Sequence, residues 1–323
     1  MQDDNQYSLI PKANATLLTP TEAQAPKRGL VARGLDEMIG LVKPSFETAE
    51  AMYKKAFDFL NGENGATKDE LQALDYFQES ANAGYSEAMV MMGNFYEIGM
   101  MGLTQDYKKA VYWYQKGMEI GNDSATTSLA SMYKSGHGVA QDFEKALDLL
   151  KKSAEAGNEY SMYDIGKIYC YGKDGIEKEY EQAFYWSLKS AEQNHAQAQR
   201  LIGYMYGQGC GVVKDNVKAA AWYEKSAEQG DEEAQCDLGW IYASGTGVAQ
   251  NDNLALSWYR KSAEQGYVHA QASLGCLYEL GECVPAVNYR KAIHWYSKAA
   301  EQGDTEAKEA LARLTLKIKD KNT

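Results

Sequence analysis

The sequence predicts an all-α solenoid of stacked helical hairpins, and three observations predict it. A six-residue phrase recurs: KSAEQG at 225–230 and again at 261–266, with KSAEAG at 152–157, KSAEQN at 189–194 and KAAEQG at 298–303. Cutting the chain after each copy leaves segments of 36 or 37 residues. Each segment carries two stretches with small and apolar residues at helical spacing, parted by a short glycine-containing loop.

Seven units follow from these cuts: 48–84, 85–121, 122–157, 158–194, 195–230, 231–266 and 267–303, within a repeat region of 47–303. Residues 304–323 begin another unit and stop halfway, which reads as a capping helix. The first half of a unit follows A-x-x-x-L-G-x-x-Y-x-x-G. In the sixth unit these are Ala234, Leu238, Gly239, Tyr242 and Gly245, one stripe of a helix with a glycine to end it.

A loop follows, often containing Gly-Val, as at Gly211-Val212 and Gly247-Val248. Asp69, Asp106, Asp142, Glu179, Asp215, Asn251 and Asn288 then stand four residues before an alanine, and all but Glu179 are preferred residue types for capping a helix start. The second half follows A-x-x-W-Y-x-x-[SG]-x-x-x-G; in the fifth unit these are Ala219, Trp222, Tyr223, Ser226 and Gly230. One hairpin cannot bury such stripes alone, so hairpins stack, and the expected array has about fourteen repeat helices and a cap.

The bulk numbers bound the partners. Net charge is −12, which opposes a nucleic-acid or anionic-membrane role, because phosphate binding needs a clustered cationic face. No apolar run approaches the roughly 20 residues of a membrane span. The acidic start MQDDNQYS is followed by no apolar stretch of a secretory signal, and the five cysteines are odd in number and lack a CxxC pair. Reduced thiols and a cytoplasmic location are the expectation, with a non-classical route out of the cell left open.

Residues 1–46 form an N-terminal extension with Pro11, Pro20, Pro26 and Pro44. Disorder is expected to about Lys27. The apolar spacing of Leu30–Val42 predicts a helix that covers the first repeat, with a docking motif as the alternative. No HExxH, GxxxxGK[ST] or GxSxG occurs, and the histidines His137, His195, His269 and His294 form no ligand spacing. The expectation is a non-enzyme without metal or cofactor.

The phrases LGWIYASGTGVAQN (238–251) and ALSWYRKSAEQG (255–266) resemble the Sel1-like repeat family, a relative of the tetratricopeptide repeats. The resemblance implies right-handed superhelical stacking, a concave side lined by the first helix of each pair, and work as an adaptor that holds other proteins. It also admits a dedicated inhibitor of the immunity type and a translocated bacterial factor. Tetratricopeptide geometry implies that the groove is read at positions −6, −3, +1 and +4 from the glycine or alanine of L-[GA]. Those positions hold Lys134, Tyr163, Lys167, Arg200, Tyr204 and Trp240 in units three to six. This aromatic and cationic patch in an acidic chain is the expected partner site. A protein or peptide is expected there, held by an acidic segment or its C-terminal carboxylate. Cys170 falls on the same set of positions.

Overall fold

The computed structural model describes residues 46–172 and 175–321. Over them the chain forms fifteen α-helices and no strand. Seven hairpins follow one another. They are α1 (Phe46–Asn61) with α2 (Glu70–Asn82), α3 (Ser86–Ile98) with α4 (Tyr107–Glu119), α5 (Asp123–Ser135) with α6 (Phe143–Glu155), and α7 (Glu159–Tyr171) with α8 (Tyr180–Glu192). Then come α9 (Ala196–Gln208) with α10 (Asn216–Glu228), α11 (Glu232–Ser244) with α12 (Asp252–Gln265), and α13 (Val268–Leu280) with α14 (Tyr289–Glu301). Helix α15 (Thr305–Lys321) closes the row. The helix expected over 30–42 lies outside the described residues.

Packing runs from each helix to the next in the chain, which is the pattern of a one-dimensional array. The buried side chains form successive clusters along it, built from the signature positions: Ala198, Ile202 and Met205 in one unit, Ala270 and Leu274 in another. The small residue of L-G has a steric cause. A Cβ at Gly239 would stand 2.8 Å from the Tyr259 ring, and one at Gly275 would stand 2.5 Å from the Tyr296 ring. The tyrosine of W-Y therefore lies flat on the bare backbone of its own unit's first helix. Unit four departs from this: Ser187 takes the tyrosine's place over Gly166, and its buried hydroxyl finds no hydrogen-bond partner among the described residues.

The loop glycine does a second job. Gly247 has φ +78°, and a Cβ there would meet the Asn216 carbonyl of the preceding unit at 2.1 Å. Gly211 makes the same approach to Tyr180. These loops, and that of Gly138 on Tyr107, thus seat their backbone on the start of the previous unit's second helix, a place where no side chain fits. The caps close the hairpins. Asp69, Asp106, Asp142, Asp215, Asn251 and Asn288 all accept from N–H groups of the following first turn, and Glu179 does not.

KSAEQG is a set of staples. Ser226 Oγ donates to the Ala196 carbonyl at 2.8 Å, and Ser262 Oγ to the Glu232 carbonyl at 2.6 Å, so each hydroxyl ties the end of a second helix to the start of its own first helix. Gln229 Nε2 donates to Gln199 Oε1 within its unit, and Gln199 Nε2 donates to the Ala191 carbonyl of the unit before. Gln265 with Gln235, and Gln302 with Gln271, repeat the arrangement. Lys225 lies over the Trp222 ring at 4.1 Å and Lys261 over Trp258 at 3.8 Å, and units four and seven repeat this cation on an aromatic face with Lys189 over Trp186 and Lys298 over Trp295.

Candidate functional site

The first helices place chemistry in columns. Residues one turn apart on a helix share a face. Helix α7 therefore aligns Tyr163, Lys167 and Tyr171, α9 aligns Arg200 and Tyr204, and α11 aligns Glu233 and Asp237. These seven, with Leu201 and Tyr223, line a pocket of about 250 Å³ that crosses three consecutive units. A hollow beside Gln141–Glu144 gathers no side chain from any other helix.

Of the six residues predicted for partner binding, four meet in this pocket: Tyr163, Lys167, Arg200 and Tyr204. Trp240 sits on α11 outside the lining and is 56% exposed. Lys134 on α5 is engaged elsewhere, donating to Asp164 Oδ2 of the next first helix at 2.8 Å. Cys170, also expected at the groove, is 2% exposed and packs in the core beneath.

The charges are already partly spent within the protein. Arg200 Nη1 lies 2.7 Å from Glu233 Oε2, and Arg200 Nε lies 3.4 Å from Asp231 Oδ1. Burial opposes the guanidinium's charge, but Asp231 and Glu233 outweigh it and hold Arg200 firmly protonated. Nε itself has no hydrogen bond of good geometry. Lys167 is exposed, with its ammonium over the Tyr163 ring at 5.4 Å.

Asp237 is the group the sequence reading missed. It is half-buried, and among the described residues no hydrogen bond or ion pair reaches it. Burial pushes its carboxyl up to about 6, with Glu233 and Asp231 adding to the rise and Arg200 opposing it. Burial likewise raises the phenols of Tyr163 and Tyr223, so both stay protonated as donors. Tyr171 and Tyr223 were also missed, the latter because its signature position promised packing alone.

The histidines serve the frame. His195 Nδ1 caps α9 by accepting from Ala198 N at 3.2 Å, which requires a neutral ring, and burial lowers its pKa. His137 stacks on Tyr107 with centroids 4.3 Å apart. All five cysteines are free thiols. No described group of His, Cys, Asp and Glu could hold a metal ion. No described helix is long and apolar enough to cross a membrane.

Comparison with known proteins fits this geometry. The Sel1 repeat model matches seven times, at 49–85, 86–122, 124–158, 159–195, 196–231, 232–267 and 268–304. The chain belongs to the Sel1 repeat family. A Sel1 repeat protein from Oxalobacter formigenes is 30% identical with a TM-score of 0.69, over 82% of this chain and 76% of that one. A protective antigen of uropathogenic Escherichia coli is 34% identical with a TM-score of 0.61, over 84% of this chain and 65% of that one. Chitin synthase regulatory factor 3 of Schizosaccharomyces pombe is 27% identical over 171 residues, 52% of this chain. An ERAD-associated E3 ubiquitin-protein ligase component, HRD3A of Arabidopsis thaliana, is 32% identical over 79 residues, 24% of this chain. The matched parts span only 14% and 11% of those two proteins. The chain is thus an array of seven Sel1 repeats, and the roles these relatives are named for, a regulatory factor and a ligase component, favour neither an immunity-type inhibitor nor a translocated factor.

Proposed function

We propose that this Sel1 array docks a partner protein on the concave face formed by its first helices, with the pocket across α7, α9 and α11 as the anchor. One observation carries the reading. Four tyrosines, two cations and two carboxylates converge on this pocket from three units, whereas the signature positions repeat without distinction along the chain. Tyrosine and arginine in a walled hollow are the residue types that anchor interfaces. Tyr204 and Trp240, 38% and 56% exposed, extend an aromatic strip from the pocket along the same face.

The relatives include a regulatory factor and a component of a ligase, roles consistent with holding another protein rather than with a reaction of the chain's own. We assign no catalysis to it. An acidic segment or C-terminal carboxylate, the expectation from the cations, is left with Lys167 as its one uncommitted anchor, since Lys134 and Arg200 bond within the protein. Five free thiols support a reducing compartment.

The test compares affinity capture from the source cell by the parent chain, by a Tyr204→Ala/Trp240→Ala variant, and by Lys225→Glu on a second helix. A specific partner should be lost from the double variant and kept by Lys225→Glu. Identical captures by all three would sink the assignment of this face.

A further inference from the structure

The charge around the pocket, its neighbour Asp231 included, does not balance, and the residue left over names the ligand. Arg200 faces both Asp231 and Glu233, so the one buried cation is already shared between two carboxylates. Lys167 stands at the exposed rim, held over Tyr163. The lining alone balances, Glu233 and Asp237 against Lys167 and Arg200, but Asp231, outside the lining, also pairs with Arg200 and leaves one negative charge in excess. That excess sits at Asp237, deeper than the rim, with no donor from the described protein. Around it stand aromatic rings, whose faces carry the negative end of the quadrupole and attract cations. Arg200 is the one cation that acts on Asp237, and it is shared with Asp231 and Glu233.

We infer that the pocket receives a basic side chain of the partner, a lysine or arginine, whose cation meets Asp237 among the rings of Tyr163, Tyr204 and Tyr223. This rests on the reading of the first-helix face as the docking surface and gives that surface a chemistry. The cavity of about 250 Å³ is a hole for one long side chain, not for a helix or a strand. A stretched aliphatic stem would run past Leu201 and the tyrosine rings. The cation at its tip would supply the missing hydrogen bonds to the carboxylate.

The carboxyl's elevated pKa points the same way. The site holds Asp237 at about 6 because burial costs more than Arg200 returns. A second cation would lower that pKa and be bound the more tightly for it. An incoming carboxylate would find Lys167 alone uncommitted, because Arg200 is already held by Asp231 and Glu233.

A phage-displayed library of random dodecapeptides tests this on the full chain. Enriched sequences are remade with both ends blocked, and their affinities are measured for the parent chain and for Asp237→Asn, Lys167→Glu and Tyr204→Ala. Circular dichroism and thermal melts of each variant confirm that the array is folded.

The expected result is lysine or arginine at a fixed place in the enriched peptides, and a loss of about tenfold or more on Asp237→Asn. Replacing that peptide residue by norleucine should cost the same, and should cost nothing further on Asp237→Asn. Enriched peptides that are acidic, or a basic peptide whose affinity changes less than twofold on Asp237→Asn, would overturn the inference. If Tyr204→Ala still weakened those peptides, the docking face would survive without its basic ligand. Peptides indifferent to every first-helix substitution, or no enrichment at all, would overturn both.

Discussion

Asp237→Asn should make the protein more stable at neutral pH, although it removes an interaction with Arg200. The folded state holds this carboxyl at about 6 against an ordinary 3.8. Between those values the folded protein binds more protons than the unfolded chain. Asp237 therefore withholds no stability below pH 4, and stability declines as pH rises through 6. A difference of about 2 units corresponds to about 3 kcal/mol at 1.36 kcal/mol per unit. Asp237 is only half-buried, and water screening reduces the figure to about 1–2 kcal/mol. Asparagine fills the same volume without ionising. Urea denaturation at pH 7.5 should show Asp237→Asn above the parent by that amount, and at pH 4 the two curves should coincide. A variant less stable than the parent at pH 7.5, or a gain independent of pH, would refute the picture of an uncompensated carboxylate. The same substitution is expected to weaken the partner's hold. A residue that costs stability and gains affinity is a mark of a site.

Three other outcomes follow from the frame. Gly247→Ala forces a Cβ into the Asn216 carbonyl at a left-handed backbone position and should cost more than 2 kcal/mol in chemical denaturation. Ser187→Ala deletes a buried hydroxyl without a partner and should be neutral or stabilising by up to about 1 kcal/mol in the same assay. His195 caps α9 as a neutral ring with its pKa lowered below 6.5, so its contribution is complete above that pH and is lost as pH falls through the folded value. His195→Asn, a cap that does not titrate, should flatten the pH dependence of stability below pH 6.5, measured by thermal melts as the pH is lowered.

The fold was legible because its causes are local. Glycine stops, Asx caps and stripes at spacings of three and four are written within a few residues of the structure they produce, and Asp215 or Gly245 could be placed by inspection. The serine and glutamine of KSAEQG were harder. Ser226 meets a carbonyl 30 residues back, at Ala196, and nothing in its neighbourhood announces the partner.

The site was legible in outline for a similar reason. Tyr163 with Lys167, and Arg200 with Tyr204, each lie one turn apart, and stacking brings the two columns side by side. What escaped was the pairing between units. Lys134 finds Asp164 and Arg200 finds Asp231 about one repeat away, and the stagger of the stack decides such meetings. That pairing turned a patch expected to attract acids into a pocket with a carboxylate to spare.

The staples and loop glycines have an evolutionary consequence. Units five and six each carry a full set of fastenings: a serine that shuts the hairpin, and a glutamine and a glycine that latch it to the unit before. A copied or deleted unit keeps every latch in register, so the array can lengthen or shorten at little cost. The pocket is the exception, because three adjoining units each contribute a wall. A duplication inserted between 158 and 266 would preserve the stack and pull those walls apart, so that stretch is where the array is held to a fixed count.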